Sequence, residues 1–482
     1  MHHFERRLTL PVSREALFAW HARPGAFERL SPSWQRVEVV DKRGGIEDGA
    51  RLHIRLRKGP LGVDWIARHQ GYAPPEKFED ESERGPFARW HHVHRFESLA
   101  AERSALVDAI DFALPLDPLS WPIVGGMVQG EVERMFRQRH VRTANDLRRH
   151  QQFAAAGPQR VALSGASGMV GAALGAFLTT GGHTVLPMVR RAKQAQNSAQ
   201  NPDQNRNQAA SIAWSPREGS IDTAALEGLD AVVHLAGEPV VGRWTPQKRE
   251  AIMRSRVDGT SLLCEALAKL DHKPKVLVCA SAVGFYGDRG DHELDEDSDP
   301  GEGFLVEVVR AWEDATRAAE EAGIRVVNLR IGVVLSPQGG ALSRLLLPAR
   351  FGLGGPVGSG RQWQSVIDLD DLLGVVLHAI HDERLRGPVN AVGPQPLRQR
   401  DFARQLGALL HRPAVMPLPA AIVRAIFGQL GDEVLLASQR VLPRRLEAAG
   451  FHWDFPSLED SLRHQLGRAD ERDVERAALA FE

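Results

Sequence analysis

Residues 160–191 read RVALSGASGMVGAALGAFLTTGGHTVLPMVRR, and no other stretch constrains the fold as much. An apolar run at 161–163 enters Gly165. Glycines recur at Gly168 and Gly171, before an amphipathic stretch that ends at Gly181 and Gly182. A second apolar run, TVLPMV, follows. Strand, glycine-rich turn, helix and strand make a βαβ unit in which each glycine has its own task. Gly165 permits the tight turn, Gly168 lets backbone N–H groups approach a pyrophosphate, and Gly171 lets helix and strand pack closely. The expected fold is α/β Rossmann, a parallel doubly wound sheet. The end of the second strand selects the cofactor. An acidic residue there binds a ribose 2′-hydroxyl, but this chain has Arg190 and Arg191, with Lys193 beyond. Guanidinium groups attract a 2′-phosphate, so NADP is expected rather than NAD.

At 482 residues the chain is too long for one ordinary domain. Apolar content of 43% and charged content of 25% are those of a globular protein. A formal net charge of -1 gives no electrostatic case for nucleic acid or an anionic membrane. The opening MHHFERRLTL lacks the apolar core of a signal peptide, and no run of 18 apolar residues predicts a membrane span. Cys264 and Cys279 both sit in apolar surroundings. They make neither a disulfide framework nor a four-ligand zinc site, which fits a reducing cytoplasm.

Residues 1–150 predict a separate unit. RRLTLPV reads as a strand, and Ser13 caps a helix beginning REALFAWH. RLHIRLR alternates, with Leu52, Ile54 and Leu56 on one face. Three more strand-like runs follow, then a helix over about 126–149 with Val128, Val132, Met135 and Phe136 at helical spacing. This element order resembles the START-like, helix-grip (SRPBCC) family, an α+β fold. The resemblance implies an apolar ligand held between sheet and last helix. His91, His92 and His94 share one strand, with His92 and His94 on one face. Without a third ligand at a defined spacing they read as a strand-surface pair, and no metal is expected. Residues 192–210, rich in Gln and Asn, read as a disordered loop. The acidic run 291–303 reads as a solvated turn, and the tail after about Gly467 as a solvated helix.

Further motifs run in order over 160–410: HLAGEP, RSRVDGT, SAVGFYGDRGD, AWEDA, VVNLRIGVVLSP and GSGRQWQSVIDLDDL. They resemble the extended short-chain dehydrogenase/reductases, and within them an atypical epimerase-like subfamily labelled nucleoside-diphosphate-sugar epimerase or cell-division inhibitor. The resemblance extends to a small helical C-terminal domain. Three parts are therefore expected: a helix-grip domain at 1–150, an NADP-binding Rossmann domain at 158–410 and a helical piece at 411–482. By the resemblance, the cofactor meets Gly165, Ser167, Gly168, Met169, Val170, Gly171, Leu235, Ala236, Gly237, Ala280, Arg330 and Gly332. Arg256 stands where relatives carry Asn. The substrate side falls at Arg243, Trp244, Arg361, Gln362 and Trp363. Arginine and tryptophan there suit a small anionic or planar ligand.

Hydride-transferring relatives use a tyrosine four residues before a lysine on one helix. A phenol of pKa about 10 exchanges a proton near neutrality only with such a cation beside it. This chain has two tyrosines, Tyr72 and Tyr286, and no lysine after Lys275. In the helix that should carry the pair, Phe304 or Leu305 stands for the phenol and Val308 or Val309 for the ammonium. Ser281 remains as the serine. Glu238, directly after the Ala-Gly turn, is the expected substitute acid/base, and Tyr286 is expected to shape the cleft wall. Two outcomes stay open: an epimerase-like oxidoreductase with a non-standard acid/base, or a catalytically silent NADP-dependent regulatory protein.

Overall fold

The computed structural model describes residues 1–59, 61–190 and 211–481. They divide into two compact units. One comprises residues 1–155, 176–182 and 464–482, and the other 156–175 and 183–463. The expected loop at 192–210, Arg191 and Lys193 lie outside the described residues.

In the first unit, seven antiparallel strands lie in the order β1-β7-β6-β5-β4-β3-β2. They are β1 (His2–Leu10), β2 (Arg36–Arg43), β3 (Arg51–Lys58), β4 (Leu61–Ala73), β5 (Lys77–Arg84), β6 (Arg89–Ala100) and β7 (Arg103–Ala113). Helices α1 (Arg14–Ala22) and α2 (Ala26–Leu30) interrupt them, and α3 (Asp117–Gln152) closes the unit. The Ser13 hydroxyl accepts from the Ala16 N–H and so starts α1. α3 begins about nine residues before the expected start and includes Pro122. Its Val132 and Phe136 pack against Trp90, Ile110 and Phe112 of the sheet.

Leu52, Ile54 and Leu56, the face singled out by alternation, line a cavity of about 200 Å³ with Trp65 and Phe78. The tail is not simply solvated. Its helix Glu471–Leu479 starts in a capping box of Asp470 and Asp473, buries Val474 and Ala477, and pairs Glu471 with Arg6 and Arg137.

The second unit is built on eight strands. Their order is Ser220–Ile221, Ile212–Ser215, Thr184–Val189, Arg160–Ser164, Ala231–His234, Val276–Ala282, Arg325–Ile331 and Gly387–Ala391. All neighbours are parallel except at the two-residue edge. The first strand of this unit, Arg160–Ser164, lies inside the sheet, with later strands added on either side. That reversal opens a crevice at the carboxyl ends of Arg160–Ser164 and Ala231–His234, the ligand site of open α/β sheets. Near-continuous apolar runs such as Val276, Leu277, Val278 and Cys279 are buried from both faces. Cys264 and Cys279 are free and buried. No helix among the described residues is long and apolar enough to cross a membrane.

Candidate functional site

The crevice is shaped by backbone. Gly165 turns the chain with φ +71°. A Cβ there would lie 2.8 Å from the Leu235 carbonyl carbon, and one on Gly171 would lie 2.2 Å from the Gly165 carbonyl oxygen. The turn therefore admits no side chain at either position. It leaves Ser167 and Gly168 exposed at the start of helix Met169–Thr180, with Met169 and Val170 in its first turn. The N-terminal end of a helix, with its backbone N–H groups and positive dipole end, suits a phosphate.

A buried hydrogen-bond chain fixes the two strand ends. The His234 Nδ1 lies 2.7 Å from Ser164 Oγ, and its Nε2 lies 3.1 Å from Thr260 Oγ1. Ser164 Oγ accepts from the Leu235 and Ala236 N–H groups at 3.1 and 3.2 Å. Burial pushes the His234 ring down to about 4, so it is neutral. The unfolded chain takes a proton more readily. Stability from this group is whole above pH about 6.5 and falls as pH drops towards 4. The second unit should lose about 2 kcal/mol between pH 7 and pH 5 on this account, read from urea midpoints. That share of the loss should vanish in His234→Gln, while His381, also pushed down to about 4 by burial, keeps its own.

Past that turn, Gly237 is exposed and Glu238 has both backbone groups tied. Its N–H donates to Ser255 Oγ at 2.9 Å, and its carbonyl accepts from Arg256 Nη1 at 2.9 Å. Arg256, the Asn replacement, lies 4.9 Å over the Trp312 ring. Burial pushes it down to about 10, which leaves it charged at neutral pH. Arg256 thus acts as a brace under the turn. The Glu238 carboxylate meets Lys248 Nζ at 2.6 Å. Arg190 is exposed at the end of its strand.

Other expected site residues lie within the packing. Ser281 is buried, and its hydroxyl donates to Glu313 Oε1 at 2.6 Å. Glu313 forms a bidentate pair with Arg330, both contacts 2.9 Å. Arg330 also donates to the Tyr286 hydroxyl at 3.0 Å and lies 3.5 Å from the Phe285 ring centroid. Its side chain, expected at the cofactor, is 3% exposed and serves this network. Tyr286 is fully buried rather than on a cleft wall, and its hydroxyl donates to Asn390 Oδ1 at 2.7 Å. Burial pushes the phenol up to about 12, against the pull of Arg330. Tyr286→Phe should therefore destabilise the fold by about 1–3 kcal/mol in thermal unfolding, while leaving cofactor affinity unchanged. Ala280 is buried in the sheet core, and the Gly332 N–H donates to the Ala391 carbonyl.

The helix Phe304–Asp314 offers no proton carrier at the expected place. Phe304 and Val308 pack with Ile252 and Trp244, and Val309 with Tyr286. Glu307 and Arg310 face outwards. Glu433 caps the helix, accepting from the Phe304 and Leu305 N–H groups at 3.1 and 2.8 Å.

On the substrate side, Arg243 and Arg361 are exposed. The Trp244 indole N–H donates to the Val240 carbonyl. Gln362 is buried, donating to the Val357 and Leu435 carbonyls, so its role is structural. Trp363 has Arg398 and Arg440 over its ring at 4.1 and 4.7 Å. The acidic run is not wholly solvated either. Glu296 is buried and accepts from the Asn390 N–H, and burial raises its pKa.

Sequence reasoning missed Ser164, His234, Thr260, Glu313 and Glu433. It also misplaced His92 and His94, which are 3% and 7% exposed and so buried rather than on a strand surface. The missed signal is WHHVHRF, in which Trp90, His92, His94 and Phe96 alternate onto one face, and all four are buried.

Residues 161–391 match the NAD dependent epimerase/dehydratase family. Residues 418–465 match a domain of unknown function, and residues 10–141 the polyketide cyclase/dehydrase and lipid transport family. An epimerase family protein of Mycobacterium bovis is 40% identical over 309 residues, 64% of this chain and 98% of that protein. The human epimerase family protein SDR39U1 is 36% identical over 63% of this chain and 98% of its own length. A crystal structure of a nucleoside-diphosphate sugar epimerase from Corynebacterium glutamicum is 30% identical. It covers 99% of this chain and 96% of its own, with a TM-score of 0.75. The structure of human SDR39U1 (isoform 2) with NADPH is 35% identical over 64% of this chain and all of that one, with a TM-score of 0.57. Identity of 36–40% to epimerase family proteins matched over 98% of their length, on an epimerase-type Rossmann unit, places this chain in the epimerase family.

Proposed function

We propose that the second unit binds NADP(H) and is an epimerase-like oxidoreductase acting on a small anionic substrate. The observation that carries the cofactor is the crevice turn, where no Cβ fits at Gly165 or Gly171 and Ser167 and Gly168 stand exposed at the helix N-terminus. The NADPH in the human relative's structure and the basic end of strand Thr184–Val189 support the phosphorylated form. Bound NADP(H) supplies hydride exchange at a substrate carbon. The chain's part is to accept the substrate's proton at the carboxylate of Glu238, whose backbone is pinned by Ser255 and Arg256 and whose side chain Lys248 keeps in place. Arg243 and Arg361 draw in the substrate's negative charge.

Native mass spectrometry of the purified chain should show NADP(H). Turnover should disappear in Glu238→Gln while the cofactor stays bound. Arg190→Ala should weaken NADPH about tenfold or more and leave NADH unchanged, as read by fluorescence titration. A silent NADP(H)-binding regulator is the second reading, favoured by the apolar residues Phe304, Leu305, Val308 and Val309. Bound NADPH that no fraction of a cell extract oxidises would decide for it. For the first unit, the apolar wall of its cavity supports a small apolar ligand. Organic extraction of the purified full chain, followed by mass spectrometry, tests that.

A further inference from the structure

The first unit buries an unusual amount of ionisable chemistry against its apolar cavity. Asp80 on β5 pairs across the sheet with His92 on β6, and His94 pairs with Asp108 on β7. Cross-strand partners share a face, as do residues two apart on a strand, so all four side chains point to one side. His140 of α3 closes the group, its Nε2 3.1 Å from Asp108 Oδ2. Carboxylates and imidazoles taken out of water at this density are costly unless something balances them.

Their arrangement has two layers. Asp108 Oδ1 lies 3.2 Å from His92 Nε2 and 2.7 Å from His94 Nδ1. This carboxylate therefore hydrogen-bonds the His92 ring and stands in close ion-pair contact with His94. The opposite nitrogens meet the other carboxylate: His92 Nδ1 is 3.2 Å and His94 Nε2 is 3.9 Å from Asp80 Oδ2. One donor atom from each of Asp80, His92 and His94 can be chosen so that all three lie within 4.8 Å of one another. Donors about 2.0–2.1 Å from a tetrahedral ion stand about 3.3 Å apart, so the 3.2 Å pair already has that spacing and the 3.9 Å pair closes by about 0.6 Å to share one ion. Imidazole ligands whose second nitrogen is held by a carboxylate are the usual outer layer of such centres.

We propose that Asp80, His92 and His94 form a binding site for a divalent first-row transition ion, with Asp108 as the positioning residue behind the two histidines. Two imidazoles and one carboxylate suit zinc, iron(II), cobalt(II) or manganese(II). Three protein ligands leave a coordination position open. Asp80, His92 and His94 all line the apolar cavity, so that position faces the ligand space. Arg139 lines the same cavity. An ion of charge +2 and Arg139 against Asp80 and Asp108 leave one positive charge, so the open position suits an anionic oxygen on an otherwise apolar molecule. This site is independent of the nucleotide crevice, and its test does not depend on any turnover.

The probe is cobalt(II), titrated into the metal-stripped full chain and followed by visible absorption, with metal content checked after dialysis. One equivalent should bind. Asp80→Asn and His94→Ala should each weaken it at least tenfold, and Asp108→Asn by 10–100-fold. Far-ultraviolet circular dichroism reports whether each variant folds. His94→Cys keeps a donor at the position. It should bind cobalt with a new sulfur-to-cobalt charge-transfer band, a signature that a merely structural histidine cannot produce. Wild-type binding no tighter than that of a folded Asp80→Asn/His94→Ala double variant would overturn the proposal. So would cobalt bound to His94→Cys without that band.

Discussion

Gly171→Ala should abolish NADP(H) binding, with a loss of affinity exceeding a hundredfold, and should lower thermal stability as well. The added methyl would lie 2.2 Å from the Gly165 carbonyl oxygen, 2.8 Å from its carbon and 2.9 Å from the Ala166 Cα. All three are backbone atoms, so no side chain can rotate away to make room. Relief requires the strand-to-turn segment to separate from the helix, and that separation removes the N–H cradle itself. Gly168→Ala is the control, because its Cβ would meet only the Gly165 oxygen, at 3.3 Å. That contact asks for a shift of a few tenths of an ångström, so the melting temperature should hardly move. Gly168 is nonetheless the glycine at which the motif brings backbone close to the pyrophosphate, so its substitution should still cost affinity. Calorimetric titration with NADPH and thermal unfolding of both variants separate packing from binding. Equal stability losses in the two, or undiminished NADPH affinity in Gly171→Ala, would remove the glycine turn from the site.

What could be read in advance follows from how local the signal is. The nucleotide turn is legible because strand, glycines and helix are consecutive and their spacing carries the geometry. The face of Leu52, Ile54 and Leu56 is legible because alternation needs no partner. The direction in which His92 and His94 point depends instead on which side of β6 meets α3, a decision made by the whole sheet. Even so, their phase with Trp90 and Phe96 was available. Ser281, Tyr286 and Arg330 each carry a residue type with a chemical reputation, but their roles are set by remote partners. Tyr286 meets Asn390, 104 positions later, and Ser281 meets Glu313, 32 positions later. Motif order placed these residues near the cofactor end of the sheet. Only the packing directs their polar atoms into a network beneath it.

That network predicts the other large effect. Arg330→Met should destabilise the second unit by about 3 kcal/mol, lowering its melting temperature by roughly 10 °C. The substitution replaces the guanidinium with a chain of similar bulk, so little of the loss comes from a cavity. The loss comes from Glu313, whose side chain is 15% exposed and would be left with only the Ser281 hydroxyl from the present network. The Tyr286 hydroxyl would lose one of its two partners. Burial opposes the charge on Arg330, but the Glu313 and Tyr286 contacts outweigh it and raise its pKa, so the guanidinium is charged throughout the neutral range. If desolvated charge is the cause, removing the second charge should restore much of the stability. Arg330→Met/Glu313→Gln should be more stable than Arg330→Met alone, because the amide oxygen still accepts from Ser281 and no buried charge remains. The double-mutant cycle measures this directly as a coupling of about 1–3 kcal/mol. A simple sum of the two single effects would mean that Arg330 stabilises through its contact with the Phe285 ring rather than through Glu313. Cofactor affinity should stay level across the cycle, since the side chain of Arg330 reaches into the packing and not into the crevice.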